Sequence, residues 1–185
     1  MDMLEVIHTR HSISKVKPDP VPRELVEKLL EAAVQAPNHY RNRPWRFIVL
    51  SGAGRERLGE VMAQSIKNQK PDLPDTALEV ERAKPLRAPV LIAVGVDKAA
   101  DPRVPEIEDI CAVAAAVENL LLAAHSLGLG AMWRTGPAAR DPLVKHFLGL
   151  APDQHLLAFV YIGHPDMEPA AEARPSFADR TVWME

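Results

Sequence analysis

The sequence is organised around two polar stretches on either side of one predicted helix: Arg10-His11-Ser12 and Pro37-Asn38-His39-Tyr40-Arg41-Asn42-Arg43-Pro44-Trp45. Guanidinium, imidazole and hydroxyl groups suit a phosphate or another oxygen-rich anion, because charge-assisted hydrogen bonds to oxyanions are stronger than neutral ones. The tripeptide alone fits a solvated helix end equally well, with Ser12 as a cap. The second stretch favours a ligand, because ordering a polar loop costs about 1–2 kcal/mol per residue in backbone entropy.

The segments around these stretches alternate between helical and extended patterns. Apolar residues at helical spacing predict a helix that Pro37 ends, and they are Leu25, Leu29, Ala32 and Ala36. A strand is predicted over 47–50 and a helix over about 55–66, joined by the glycine turn at 51–54. The polar stretch 67–85 is expected to be a mobile excursion with a short helix near 76–82.

Three apolar segments predict the core. Residues 89–96 and 156–163 are almost unbroken apolar runs, which is typical of strands covered on both faces, and the first is expected in the middle of the sheet. The helix predicted over about 106–127 is apolar nearly all round, so we expect it to be buried on every side, partly against a second subunit. Cys111 within it is expected to be a small buried residue. Residues 181–184 are a candidate terminal strand.

Composition limits the class of protein. A chain of 185 residues with 47% hydrophobic residues predicts one domain over 1–185. Its net charge of -3 and pI near 6.2 argue against a nucleic-acid or anionic-membrane partner. The run 110–117 is too short for the roughly 20 residues of a membrane span, and acidic residues at the N-terminus argue against a signal peptide, so a cytoplasmic location is expected. The acidic stretch 97–109 is interpreted as a solvated connection, and no metal site is expected.

A third motif, Gly128-Leu129-Gly130-Ala131-Met132-Trp133-Arg134-Thr135-Gly136, follows the long apolar helix. Together with the first two motifs, in this order and at this spacing, it resembles the nitroreductase family of FMN-dependent oxidoreductases, in its small single-domain bacterial branch. The resemblance spans nearly the whole chain. It implies an α+β fold of three layers, with a central mixed, mostly antiparallel sheet flanked by helices, and a homodimer with FMN at the subunit interface.

The resemblance also assigns candidate binding residues. Those matching FMN contacts are Arg10, His11, Ser12, Gln35, His39, Trp133, Arg134 and Thr135, with His39 reaching FMN from the neighbouring subunit. Two of them have simpler interpretations, since His39 also fits a loop histidine bonded to local backbone and Trp133 also fits core packing. A weaker match assigns nicotinamide-nucleotide contacts to Ala123, Ala124, His125, Ser126, Leu127 and Gly128.

The activity implied by the resemblance is a ping-pong reaction in which NADH or NADPH reduces the flavin and a nitroaromatic or quinone reoxidises it. Arg10 or Arg134 is expected near the flavin N1–C2=O edge, and no protein acid or base is assigned as catalytic. Two alternatives remain: the same flavin fold with another reaction, dehalogenation or dehydrogenation, or a non-catalytic flavin-binding module. No motif identifies the natural acceptor or the preferred nucleotide.

Two departures from the family pattern matter for the site. Ser14 stands where many relatives have a basic residue, which leaves Lys15 or Lys17 to supply charge to the phosphate. Arg41 and Arg43 replace neutral polar residues, and we hypothesise that they shift acceptor preference toward anions. In the family, segments comparable to residues 67–85 lie over the active site, so this stretch is a candidate lid.

Overall fold

The computed structural model describes residues 2–99, 101, 103–169 and 173–185. Its helices are α1 (Met3–Thr9), α2 (Arg23–Ala33), α3 (Ala53–Gln69), α4 (Asp75–Ala83), α5 (Glu106–Ser126), α6 (Pro137–Arg140) and α7 (Pro142–Phe147). Its strands are β1 (Trp45–Ser51), β2 (Val90–Val96), β3 (Gly130–Arg134) and β4 (His155–Gly163). Short 3₁₀ turns cover His39–Arg41, Lys84–Arg87 and Ala178–Arg180.

The strands form one sheet in the order β1-β2-β4-β3. All three pairings are antiparallel, so the mixed character implied by the resemblance is not seen within the described strands, whereas the mostly antiparallel sheet is confirmed. Every residue of β2 is buried, as expected for a strand with neighbours on both edges and helices on both faces. The prediction that this run lies in the middle of the sheet is confirmed.

Two hydrophobic clusters cover the two faces of the sheet. Side chains alternate along a strand, so Ile92 and Val94 pack with α2 and α5 while Leu91 and Ala93 pack with α3 and α7. The sheet is therefore the middle of three layers, which confirms the α+β class.

The stretch 67–85 is packed against the body of the chain. Helix α3 continues to Gln69, and α4 lies against it with Leu78 buried. Where the two helices cross, Gly59 has no Cβ, and the backbone of Arg82 can therefore approach it closely. The short helix expected near 76–82 is confirmed as α4, and because it buries its apolar face, this part of the stretch is packed and is not an excursion.

Replacing Gly59 with alanine should destabilise this crossing. An added Cβ would lie 2.3 Å from the backbone oxygen of Arg82, so one of the two helices must shift. Forced shifts of this kind cost about 1–3 kcal/mol, and we expect a loss near 2 kcal/mol in the free energy of unfolding measured with urea. Gly54→Ala is the matched control, because its nearest neighbouring atom would be 3.8 Å away. Equal stability of the two variants would contradict the packing described here.

Helix α5 is covered on the sheet side and open on the other. Its inner residues, such as Val113 and Leu120, are fully buried, but Ile107 is 63% exposed and Cys111 is exposed. The expectation that Cys111 is buried is therefore wrong for the single chain, in which the helix face that a second subunit was expected to cover is open. Among the described residues, no helix combines the length and apolar character that crossing a bilayer requires. Residues 181–184 form no strand within the described chain.

Candidate functional site

The segment after α1 runs along the exposed edge of the sheet. The Ile13 N–H donates to the carbonyl of Ala131 in β3 at 3.0 Å. Gly130 and Gly163 allow this approach, because a Cβ on either residue would lie 2.8 Å from the side chain of Ile13 or Val16. The contact brings Arg10, His11 and Ser12 alongside the strand that carries Trp133 and Arg134.

These three residues form one wall of a cavity of about 440 Å³, which we call the N-terminal cleft. Its lining residues are Arg10, His11, Ser12, Met167, Pro169, Ala173, Arg174 and Pro175. The predicted triplet thus lies together on one wall of this cavity.

Arg174 is a cleft residue that the sequence interpretation missed. Its Nη2 donates to the backbone carbonyl of Arg10 at 2.7 Å, which brings a second arginine to the cleft from 164 positions further along the chain. The available signal was weak: Arg174 is the single basic residue in the Pro- and Ala-rich stretch 167–179. Two guanidiniums, an imidazole and a hydroxyl in one cleft make a strong site for a multivalent oxyanion.

Arg10 is held by a carboxylate on α5. Its Nε lies 3.3 Å from Oε1 of Glu118, and its side chain is 19% exposed. Behind it, Nε2 of His125 lies 2.8 Å from the Thr9 hydroxyl. Burial lowers the pKa of His125, and the positive charge of Arg10 lowers it further, which favours the neutral imidazole beside the cleft.

The side chains of the three candidate residues on and after β3, Trp133, Arg134 and Thr135, do not point in the same direction. Trp133 packs against the cluster between the sheet and α5, which agrees with its alternative interpretation as a core residue. The Arg134 guanidinium instead lies 5.8 Å from the ring centroid of Tyr161, on the α3 side of the sheet. The alternation of side chains along a strand explains the divergence. Thr135 follows the strand and is exposed.

Gln35 and His39 lie elsewhere on the same chain. Gln35 lines a shallow depression on α5 with Asn119 and Ala123. Nδ1 of His39 contacts Oε2 of Glu108, so this histidine bonds to a side chain on α5 rather than to local backbone. Glu108 precedes Glu118, the partner of Arg10, by ten positions, which corresponds to about 15 Å along a helix. Within one chain, the structure does not bring His39 to the N-terminal cleft.

The loop that carries His39 is backbone-strained. Tyr40, Arg41 and Arg43 have φ values of 48°, 55° and 52°, in the left-handed region that costs about 1–2 kcal/mol per non-glycine residue. Two asparagines hold it: Asn38 Oδ1 accepts from the Arg43 N–H at 2.9 Å, and Asn42 Nδ2 donates to the buried Asp109 at 2.8 Å. The loop leaves Arg41 and Arg43 exposed.

The weaker set of candidates forms the end of α5 and the turn after it. Ala123 and Ser126 border the depression beside Gln35. Ala124 is completely buried and offers no surface to a nucleotide, because it faces the core of the molecule. Gly128 has φ of 74° and makes the turn into β3. In the described part of the chain, no cluster of His, Cys, Asp and Glu side chains has the arrangement of a metal site.

Comparison with known proteins gives a consistent picture. A model of the family described as "Nitroreductase family" matches residues 7–164. The YdjA protein of Escherichia coli strain K12, whose name assigns it provisionally to the NAD(P)H nitroreductases, is 32% identical over 169 residues, covering 91% of this chain and 91% of its own. YfhC of Bacillus subtilis strain 168, named in the same way, is 32% identical over 181 residues, covering 97% and 93%.

Solved structures agree with the sequence relatives. A nitroreductase-like family protein from Bacillus cereus superposes with a TM-score of 0.89 at 27% identity, covering 100% of this chain and 97% of that one. A protein from Desulfovibrio desulfuricans, described provisionally as a nitroreductase and crystallised in complex with FMN, gives a TM-score of 0.75 at 28% identity, covering 98% and 96%.

Proposed function

This chain belongs to the nitroreductase family, and from that premise we propose that it is an FMN-dependent oxidoreductase that reduces nitroaromatics or quinones with NADH or NADPH. The observation that carries the proposal is the N-terminal cleft, where Arg10 and Arg174 from opposite ends of the chain converge beside Ser12. Nucleic acid and membrane are not required partners of such an enzyme.

The cleft fits the phosphate of FMN. Two guanidiniums offer forked donors to a dianion, and the Ser12 hydroxyl adds a neutral donor next to them. The hydrogen bond from Arg174 to the Arg10 carbonyl fixes one arginine relative to the other, which reduces the entropy lost on binding. Lys15, one of the two lysines considered for phosphate binding, is already paired with Asp166 at 2.7 Å. We therefore assign the phosphate to the two arginines.

The flavin ring is assigned to the edge strand β3 and the residues after it. The Ile13 contact with Ala131 sets the cleft beside this strand, and Trp133 to Thr135 continue away from it. Trp133 is half-buried against the α5 side of the sheet, and we assign its remaining exposed surface to the flat apolar wall beside the ring. The bound flavin supplies the two-electron redox chemistry, and the protein supplies orientation and electrostatics.

A homodimer completes the proposed site. Gln35 and His39 lie on the open side of α5, away from the Arg10 cleft of their own chain. A second copy packed against this side would present its own Gln35 and His39 to the cleft, as the family resemblance implies. Exposed Ile107 and Cys111 make that side of α5 apolar and suited to an interface.

The proposed reaction is ping-pong, with the nicotinamide nucleotide and the acceptor using one open site in turn. The decisive experiment is an anaerobic visible spectrum of the purified protein during titration with NADH and, separately, NADPH. We expect a yellow protein with about one flavin per chain, bleached by at least one nucleotide and restored by a quinone. A colourless protein that takes up no added FMN would reject the proposal.

The same titration separates the alternatives. A yellow protein that neither nucleotide bleaches would indicate a flavin-binding module without turnover. A protein that is bleached but transfers electrons to neither nitroaromatics nor quinones would favour another reaction on the same fold, and a product screen with halogenated aromatics and peptide heterocycles would identify it.

A further inference from the structure

Helix α1, which leads into the N-terminal cleft, is short and weakly anchored. It has seven residues, all of them described by the structure, and of these Val6 alone is buried. An isolated helix of this length is marginal in water, so the position of α1 depends on its contacts with the rest of the chain. Arg10 directly follows α1. Its place at the cleft therefore depends on how the end of this helix is held.

Thr9, the last residue of α1, is hydrogen-bonded to His125 near the end of α5. The Thr9 hydroxyl donates to the carbonyl of Glu5 at 2.7 Å, and its oxygen lies 2.8 Å from Nε2 of His125. A hydroxyl has one hydrogen to donate, so Thr9 accepts from His125 and Nε2 carries the ring proton. This bond connects the short helix to the long one at the residue before Arg10.

Glu118 and His125 lie on one face of α5. They are seven positions apart, which is about two turns of a helix, so their side chains project in nearly the same direction. Glu118 contacts the guanidinium of Arg10, with Oε1 3.3 Å from Nε, while His125 binds the residue before Arg10. One helix of 21 residues thus holds both the side chain of Arg10 and the backbone that leads into it.

The bond to Thr9 also limits what His125 can offer a nucleotide. Its Nε2 is engaged, its ring is half-buried, and burial together with the nearby charge of Arg10 lowers its pKa. A neutral ring that already donates its proton has only an acceptor left, at Nδ1. Phosphate groups require donors. These observations favour a role within the chain over the nicotinamide-nucleotide contact that the resemblance assigns to His125.

We propose that His125 is a positioning residue for FMN binding: by donating to Thr9 it holds the end of α1 so that Arg10 meets the phosphate. This rests on the proposed function, because it takes the N-terminal cleft as the phosphate site. An arginine that is already in place loses less entropy when the phosphate binds. His125 itself contacts neither the flavin nor the nicotinamide nucleotide in this assignment.

The test compares FMN with riboflavin, which lacks the phosphate, by fluorescence quenching with the full chain freed of flavin. His125→Leu should weaken FMN binding about fivefold, the size of effect that one neutral hydrogen bond supplies, and should leave riboflavin binding unchanged. His125→Gln should restore FMN binding, because an amide can donate from a position close to Nε2. His146→Leu is the matched control and should bind FMN normally, because His146 is exposed on α7, across the sheet from α5.

A double-mutant cycle separates a role through Thr9 from direct contact with the ligand. Thr9→Val and His125→Leu should each weaken FMN binding, and the double variant should bind no more weakly than the weaker single variant, because both changes break the same bond. Additive losses would overturn the positioning role, as would normal FMN binding or an equal loss of riboflavin binding in His125→Leu, or no recovery in His125→Gln. The proposed function would survive each of these results. It would fail, and this role with it, if the unchanged protein bound no FMN.

Discussion

Replacing Arg10 with alanine should lower the affinity for FMN about 100-fold. Hydrogen bonds from a charged donor contribute about 1.5–3 kcal/mol each, and the lost fork makes up to two of them to the phosphate. The change is local, because the former partner Glu118 is 47% exposed and remains hydrated. The bond from Arg174 is retained, since it is accepted by the backbone carbonyl of residue 10. Quenching of flavin fluorescence on titration of the apoprotein measures the effect.

The control for this prediction is Arg23→Ala, which removes an exposed arginine paired with Glu27 on α2. It should bind FMN as the unchanged protein does. The FMN affinity of Arg10→Lys should lie between those of Arg10→Ala and Arg23→Ala, because lysine keeps the positive charge but lacks the forked donors of a guanidinium. Wild-type affinity in Arg10→Ala would exclude the N-terminal cleft as the phosphate site, whatever the protein's activity.

Much of the fold follows from local pattern. The run 89–96 contains no charged residue, and such a run predicts a central strand because only a strand covered on both faces avoids polar positions. The strand at 156–163 and the helix ended by Pro37 follow from similar local rules. These elements are where the sequence interpretation agrees with the structure to within a few residues.

The long helix α5 shows what local sequence pattern cannot predict. Its apolar composition indicates burial but does not say whether the covering surface belongs to the same chain or to another. Ala116 is covered by the sheet, whereas Cys111, five positions earlier, is exposed in the single chain. Apolar residues occur on both sides of the helix, so the difference depends on the arrangement of the whole fold.

The site was predictable only in part for the same reason. Arg10 to Ser12 are recognisable because three donor types adjoin one another. Arg174 is recognisable only once the fold brings residue 174 to residue 10, a contact that no local periodicity encodes. Gly130 illustrates a related limit: its lack of a side chain admits Ile13 to the edge of β3, a contact that local pattern does not indicate.

Replacing Cys111 with arginine should convert the proposed dimer into a monomer without flavin. In the single chain this side chain is exposed, so an arginine there is hydrated and the chain still folds. In the proposed interface the charge would be buried without a partner, at a cost of several kcal/mol per ion. Light scattering after size exclusion should give half the mass, with no 450-nm flavin absorbance. Gln64→Arg, at an exposed position of α3, is the control and should remain dimeric and yellow.

Mixing two variant subunits tests whether each FMN site contains residues from both chains. Arg10→Ala and His39→Ala should each bind FMN poorly alone, because both cleft and loop residues are needed. In a mixed dimer, one site combines both replacements and the other combines neither, so random mixing should restore about a quarter of the sites. No such recovery is possible if Arg10 and His39 serve the same site within one chain, since every chain would then carry a defect. Recovery on mixing, together with a flavin-free Cys111→Arg monomer, would locate the site across the subunit boundary.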